Sequence, residues 1–253
     1  MSFSSQADLG VGPGHGGSAS LRAPDYWWYV ARTELLRTVL EEHIGSAPLM
    51  LDVGSADGPS VRWLDSHGKR IMLDIDLRGL APGGVCGSAM ALPFPDETFD
   101  IVSAFDVAEH CEPEALVFAE FARVLRPGGR LLISVPAYEW AWSEFDEQNG
   151  HHRRYTRKRA VRAVETAGLA VDRSTYAFAG VFPFFAVERL GRRTRRWVMG
   201  KSEGHHPVDT VRLPKVHPRL ERMFLWLSRK EEKLLARRDL PFGSSVVVAA
   251  TKN

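Results

Sequence analysis

The run Leu49-Met50-Leu51-Asp52-Val53-Gly54-Ser55-Ala56-Asp57-Gly58 constrains this chain more than any other segment. Its apolar half reads as a short buried strand carrying one acid. Gly54 to Gly58 reads as a tight turn, and Pro59 suits the first position of a helix over 59–66 that ends before Gly68. Glycine has no Cβ, so such a turn can bring backbone N–H groups close to a ligand. Strand patterns then recur at 71–75, near 85–88, at 99–105, 130–135 and 170–177, with a last one over 243–251. Helices are predicted at 26–43, capped by Asp25, at 113–125, and after a Thr156 cap. Strands alternating with helices form a parallel sheet covered on both faces, and such sheets bind ligands at the carboxyl ends of their strands. That rule gathers the glycine turn, Asp74, Ser88 and Asp106–His110 around one crevice.

Several segments carry a family resemblance in a fixed order. They are Asp52-Val53-Gly54-Ser55-Ala56-Asp57-Gly58, then Ile71-Met72-Leu73-Asp74-Ile75-Asp76, and then Leu92-Pro93-Phe94-Pro95-Asp96 with Phe99-Asp100. Strand residues 101–105 run into Asp106-Val107-Ala108-Glu109-His110, and Arg123-Val124-Leu125-Arg126-Pro127-Gly128-Gly129 comes last. Together they resemble the class I S-adenosylmethionine-dependent methyltransferases, in the small-molecule, methyltransferase type 11-like subgroup. The resemblance spans roughly residues 26–178 and returns at 241–251. It implies a Rossmann-like α/β fold: a seven-stranded, mostly parallel sheet with an antiparallel last strand and a helical insertion before it.

The resemblance also implies a cofactor, S-adenosyl-L-methionine, leaving as S-adenosyl-L-homocysteine. Its expected contacts are Asp52, Gly54, Ser55, Ala56, Gly58, Asp74, Ile75, Ser88, Ala89 and Phe105. Asp52 would order the loop and favour the ligand's positive charges. Asp74 would accept from the ribose hydroxyls, with Asp76 as runner-up on the same face. Two positions depart from the family pattern. Ala56 stands where a second glycine is usual, and Ser88 stands where the family places an aspartate over adenine. These departures are the only support for a rival reading, a cofactor-binding protein without catalysis.

On the acceptor side, methyl transfer needs positioning more than a base, but a hydroxyl acceptor gains from an imidazole. His110 and His151 are the catalytic candidates. Trp142, Arg154 and Tyr155, in the long loop after the fifth strand, are the acceptor-pocket candidates. The loop resembles a D-x-x-x-x-H-x-R-R-Y-T stretch of a methyltransferase subgroup. No Asn/Asp-Pro-Pro-Tyr/Phe motif follows the fourth strand, where Phe105-Asp106-Val107-Ala108 stands, so an oxygen acceptor is favoured over the exocyclic amine of a nucleic acid. The pairs His151-His152 and His205-His206 suggest no metal, because adjacent residues seldom converge on one centre and no third ligand is evident.

Bulk properties set the outer limits. The 253 residues carry a net charge of +2, so bulk charge does not indicate nucleic-acid binding, and a nucleic-acid acceptor reached through the basic insertion is only an alternative. Two cysteines, Cys86 and Cys111, make no disulfide framework and fit a reducing cytoplasm. The start of the chain has no basic segment leading into an apolar run, so no secretory leader is expected. Residues 1–24 are Gly/Ser/Ala-rich and read as a disordered tail. The core is expected over 25–180, a helical insertion over 181–240, and the last core strand within 241–253. The insertion holds fifteen Lys and Arg against seven Asp and Glu. A solvated lid is favoured for it. An anionic or lipid-linked acceptor and peripheral membrane contact are the alternatives, the latter not favoured.

Overall fold

A computed structural model of the protein describes residues 25–46, 48–77, 80, 82–199 and 216–253; the expected tail and the His205-His206 pair lie outside the described residues. Seven strands form one sheet in the order β3-β2-β1-β4-β5-β7-β6. They are β1 (Leu49–Val53), β2 (Lys69–Asp74), β3 (Val85–Cys86), β4 (Phe99–Phe105), β5 (Leu125–Pro136), β6 (Leu169–Ala177) and β7 (Ser245–Lys252). β1 pairs parallel with β2 and β4, and β4 parallel with β5. β7 runs antiparallel between β5 and β6. This is the sheet expected from the sequence, with the only reversed strand the last one.

Both faces of the sheet are buried, which is why its strands are apolar almost throughout. One face carries Leu51, Val53, Val102, Leu131 and Ile133 against Phe118 and Phe121 of helix α2 (Glu114–Val124). The other carries Met50, Ile101 and Leu132 against Leu35, Leu36, Val39 and Leu40 of helix α1 (Trp27–Leu40). Short α3 (Glu144–Gln148) lies in the loop after β5, and α4 (Arg157–Thr166) precedes β6. Thr156 caps α4, its hydroxyl accepting from the Arg159 N–H, as its sequence position predicts.

Several local expectations need correction. Asp25 does not cap α1; Tyr26 occupies the N-cap position without a side-chain cap. Helical winding after β1 does not wait for Pro59 but begins at once, as a 3-10 helix over Ser55–Ser66. The reason is Gly54, whose left-handed backbone (φ +73°) turns the chain directly out of the strand. The fifth strand starts at Leu125, earlier than the expected 130, and takes in residues 126–129. They bulge from the start of β5, with Gly128 at φ +77° and pairing to β4 resuming at Arg130.

Between β6 and β7 the described residues include the helices α5 (Phe182–Met199) and α6 (Pro218–Leu235). α6 lies against α1, where Trp27 and Phe224 have ring centroids 4.8 Å apart. Among the described residues no helix is long and apolar enough to cross a membrane.

Candidate functional site

The glycine turn leaves β1 at the carboxyl end of the sheet. The Gly54 N–H donates to the Leu73 carbonyl of β2 at 2.8 Å, tying the turn to the neighbouring strand. A Cβ built on Gly54 would lie 2.5 Å from Val107 Cγ2, so the turn and the loop leaving β4 are in direct contact. The buried Ser55 hydroxyl has no hydrogen-bond partner among the described residues. An unsatisfied buried hydroxyl behind a left-handed glycine suits the polar end of a ligand. The side chains of 56–60, Ala56 among them, lie outside the described residues, and Gly58 falls within the 3-10 helix.

Asp52 is buried beneath this turn and already engaged. Its Oδ1 accepts from Ser103 Oγ of β4 at 2.8 Å and its Oδ2 from Arg70 of β2 at 2.8 Å. It therefore braces three strands under the turn. Asp74 ends β2 nearly buried, its Oδ1 accepting from the Asp76 N–H at 2.8 Å. Ile75 beside it is 75% exposed. The Ser88 hydroxyl accepts from the Met90 N–H at 3.2 Å in a tight turn that includes Ala89. Phe105 is buried in the core at the end of β4.

Beyond β4 the chain turns sharply at Asp106 (φ +59°), a short polar residue that tolerates this conformation. Its Oδ2 accepts from Arg32 of α1 at 2.9 Å and its Oδ1 from Ser134 Oγ of β5 at 3.1 Å. Arg32 is buried, so α1 is pinned at the crevice by an ion pair that sequence reasoning missed. The signal was available: an arginine on the apolar face of an amphipathic helix.

The next turn, Ala108–His110, meets the loop after β5. His110 and His151 stand with ring centroids 4.6 Å apart and planes nearly perpendicular. His151 Nδ1 lies 2.9 Å from Asp146 Oδ1. Asp146 is fully buried, and its carboxylate also accepts from Arg154 Nε and the Ser143 N–H, both at 2.8 Å. Burial alone would raise its pKa, but His151, Arg154 and the Ser143 amide outweigh that and hold it down to about 2. An ionised Asp146 can only accept, so His151 Nδ1 is the donor of this hydrogen bond and Nε2 takes no part in it. His110 is exposed in part, yet desolvation and the neighbouring His151 push its pKa down to about 4, so the ring is neutral near pH 7.

Glu109 also comes to this place. Its carboxyl is fully buried, with neither oxygen hydrogen-bonded among the described residues. Burial, then the Asp106 charge, raises its pKa well above the carboxylate range, against Arg32 and Arg154. Nothing in the sequence but its place beside His110 marked it.

The three pocket candidates are placed differently from one another. Arg154 is buried and committed to Asp146 and to the Ala137 carbonyl. Tyr155 is fully buried, and its hydroxyl donates to Glu114 Oε2 at 2.8 Å. Burial and Glu114 raise its pKa. Both residues hold the loop rather than line its surface. Trp142 is half-buried, its Nε1 donating weakly to Glu147 at 3.4 Å.

Residues 51–133, from β1 to mid-β5, match the family model described as a methyltransferase domain. Residues 51–133 thus form a methyltransferase domain of the class I S-adenosylmethionine-dependent kind. Among curated relatives it is 38% identical over 127 residues to phthiotriol/phenolphthiotriol dimycocerosates methyltransferase 1 of Mycobacterium ulcerans, covering 46% of this chain and 45% of that protein. It is 34% identical over 103 residues to the sterol 24-C-methyltransferase of Yarrowia lipolytica, covering 35% of this chain and 26% of that protein. The chain thus spans less than half the length of either. In fold, the chain resembles the Burkholderia thailandensis 1,6-didemethyltoxoflavin-N1-methyltransferase bound to S-adenosylhomocysteine. The TM-score is 0.52 at 15% identity, covering 93% of this chain and 84% of that one.

Proposed function

We propose that this methyltransferase binds S-adenosylmethionine and methylates a small-molecule acceptor, with a hydroxyl oxygen as the preferred nucleophile. One observation carries the reading: the glycine turn touches the loop that brings Glu109, His110 and His151 together. A donor held by that turn and an acceptor held by that cluster would meet at the sheet's carboxyl end. When bound, S-adenosylmethionine supplies an electrophilic methyl group on a sulfonium. The chain's own residues do the rest. The turn at Gly54 and the Ser55 hydroxyl fit the methionine end, and Asp74 fits the ribose, with Ser88, Ala89 and Ile75 toward the adenine side. The two imidazoles, His151 held through Nδ1 by Asp146, are suited to manage the proton of an attacking hydroxyl. With its two cysteines unpaired, the protein suits a reducing cytoplasm.

Calorimetric titration tests the donor half. Wild type should bind S-adenosylmethionine saturably, and Gly54→Arg should abolish binding; undiminished binding in that variant would overturn the assignment. Release of S-adenosylhomocysteine across a library of hydroxyl, amine and carbon acceptors tests the other half.

A second reading has one observation behind it. Phe184, Val187 and Leu190 project from α5 at 47%, 72% and 52% exposure, in an insertion rich in arginine. That combination suits an acceptor carried on an anionic lipid. Cosedimentation with phosphatidylglycerol vesicles that vanishes in 0.5 M salt, roughly the range where the Debye length falls below 5 Å, would favour it.

A further inference from the structure

Glu109 is the group in this molecule least explained by its folded surroundings. A buried carboxyl without hydrogen bonds is expensive unless something outside the chain satisfies it. It does not stand alone. One Glu109 oxygen and one ring nitrogen from each of His110 and His151 lie within 4.8 Å of one another. These atoms come from two separate segments, the turn after β4 and the loop after β5. The charged groups that face Glu109 are Asp106, Arg32 and Arg154. Asp106 is itself paired with Arg32, and Arg154 with Asp146, so neither arginine hydrogen-bonds the Glu109 carboxyl.

The imidazoles are oriented from behind. His151 donates through Nδ1 to Asp146, and Nε2 takes no part in that bond. A carboxylate supporting a histidine in this way is the usual outer partner of a metal-ligating imidazole. His110, the exposed member, contributes one ring nitrogen to the cluster. Two neutral imidazole nitrogens and one carboxylate oxygen are the donor set of open, zinc-type and non-haem-iron-type centres. Nitrogen and oxygen ligands at about 2.0–2.2 Å from a cation sit roughly 3–3.5 Å from each other, so the three groups need to draw in by about 1 Å. His110, exposed in part, marks the path by which an ion enters.

We propose that Glu109, His110 and His151 bind one divalent transition-metal cation of the zinc class, with its remaining coordination positions open toward the crevice. The ion would satisfy the Glu109 carboxylate and offset its repulsion with Asp106. Its use rests on the methyl-transfer reading, in which an acceptor oxygen takes an open position. Its binding does not, and the two can fail separately.

The test uses the full chain, stripped with a chelator and dialysed. Zn²⁺ is titrated calorimetrically and Co²⁺ by its visible absorption, and S-adenosylmethionine is titrated in parallel. The expected result is one ion per chain in wild type. Glu109→Gln and His110→Gln should each weaken it by about 100-fold or more and bleach the cobalt bands. His152→Gln, at the exposed neighbour, should leave both unchanged. Circular dichroism confirms that the variants fold, and His110→Gln, at the exposed ligand, keeps the test valid if Glu109→Gln does not fold. Wild type that binds no ion, or variants that bind it as wild type does, would overturn the metal site. If that happens while S-adenosylmethionine binding persists, the methyl-transfer reading stands alone; loss of S-adenosylmethionine binding with an intact metal site would overturn the other.

Discussion

Gly54 answers to two demands at once. Its left-handed backbone costs an L-residue with a Cβ about 1–2 kcal/mol, and that Cβ would strike Val107 at 2.5 Å. Gly54→Ala should therefore lower the melting temperature and weaken S-adenosylmethionine binding. Adding Val107→Ala should return part of the loss by removing the collision, which a double-mutant cycle measures directly. His110 and Asp146 give a pH dependence of one sign. The folded pKa of each is below its ordinary value, at about 4 and about 2. His110 thus contributes stability that is full above the histidine range and is lost as pH falls from about 6.5 towards 4. Asp146 contributes stability that is lost only later, as pH falls from about 4 towards 2. Chelator-treated protein should weaken in two steps on acidification, and His110→Gln should remove the first; a single step in both would contradict this assignment. Glu109 works in the opposite direction. Its raised pKa means that ionisation opposes folding, so Glu109→Gln should raise the melting temperature of the metal-free chain at pH 8, with the gain fading by about pH 4.

At the scale of elements, what could be read ahead of the structure followed local pattern. β1 and β4 lie where their apolar runs place them because a parallel strand buried on both faces has to be apolar along its length. Thr156 was legible as a cap because its hydroxyl acts within one turn. The 3-10 winding after Gly54 and the bulge at 126–129 were not, since both depend on one glycine's φ and on pairing with distant strands. The loop after β5 was legible as a site but not in its division of labour. Arg154 and Tyr155 face inward to Asp146 and Glu114, and only the packed structure decides which way a loop side chain points. Tyr155→Phe should accordingly cost about 1 kcal/mol in urea unfolding and leave acceptor KM unchanged, since it loses one buried hydrogen bond and no ligand contact. The Arg32–Asp106 pair joins α1 to the loop after β4. Arg32→Met should cost about 1–3 kcal/mol, less than for a wholly buried pair because Asp106 is 27% exposed, and should weaken S-adenosylmethionine binding along with stability.

Across the whole molecule, the expected near-neutral total with a basic insertion becomes two helices of different attachment. α6 stacks on α1 through Phe224 and Trp27, so the insertion reinforces the layer that carries Arg32. Phe224 is only partly buried, and Phe224→Ala should cost about 1–3 kcal/mol and loosen α1 over the crevice, seen as faster amide exchange in residues 27–40. The strand order has a further outcome. β7, the final strand along the sequence, sits inside the sheet, and β6 has it as its sole neighbour there. A ribosome delivers β1 to β6 before the piece that joins β6 to the rest. During synthesis, then, β6 and the helix leading into it wait with an open edge, and the sheet shuts only when residues 245–252 emerge. Clipping residues 245–252 should leave a chain that never completes its sheet, rather than a slightly shorter enzyme.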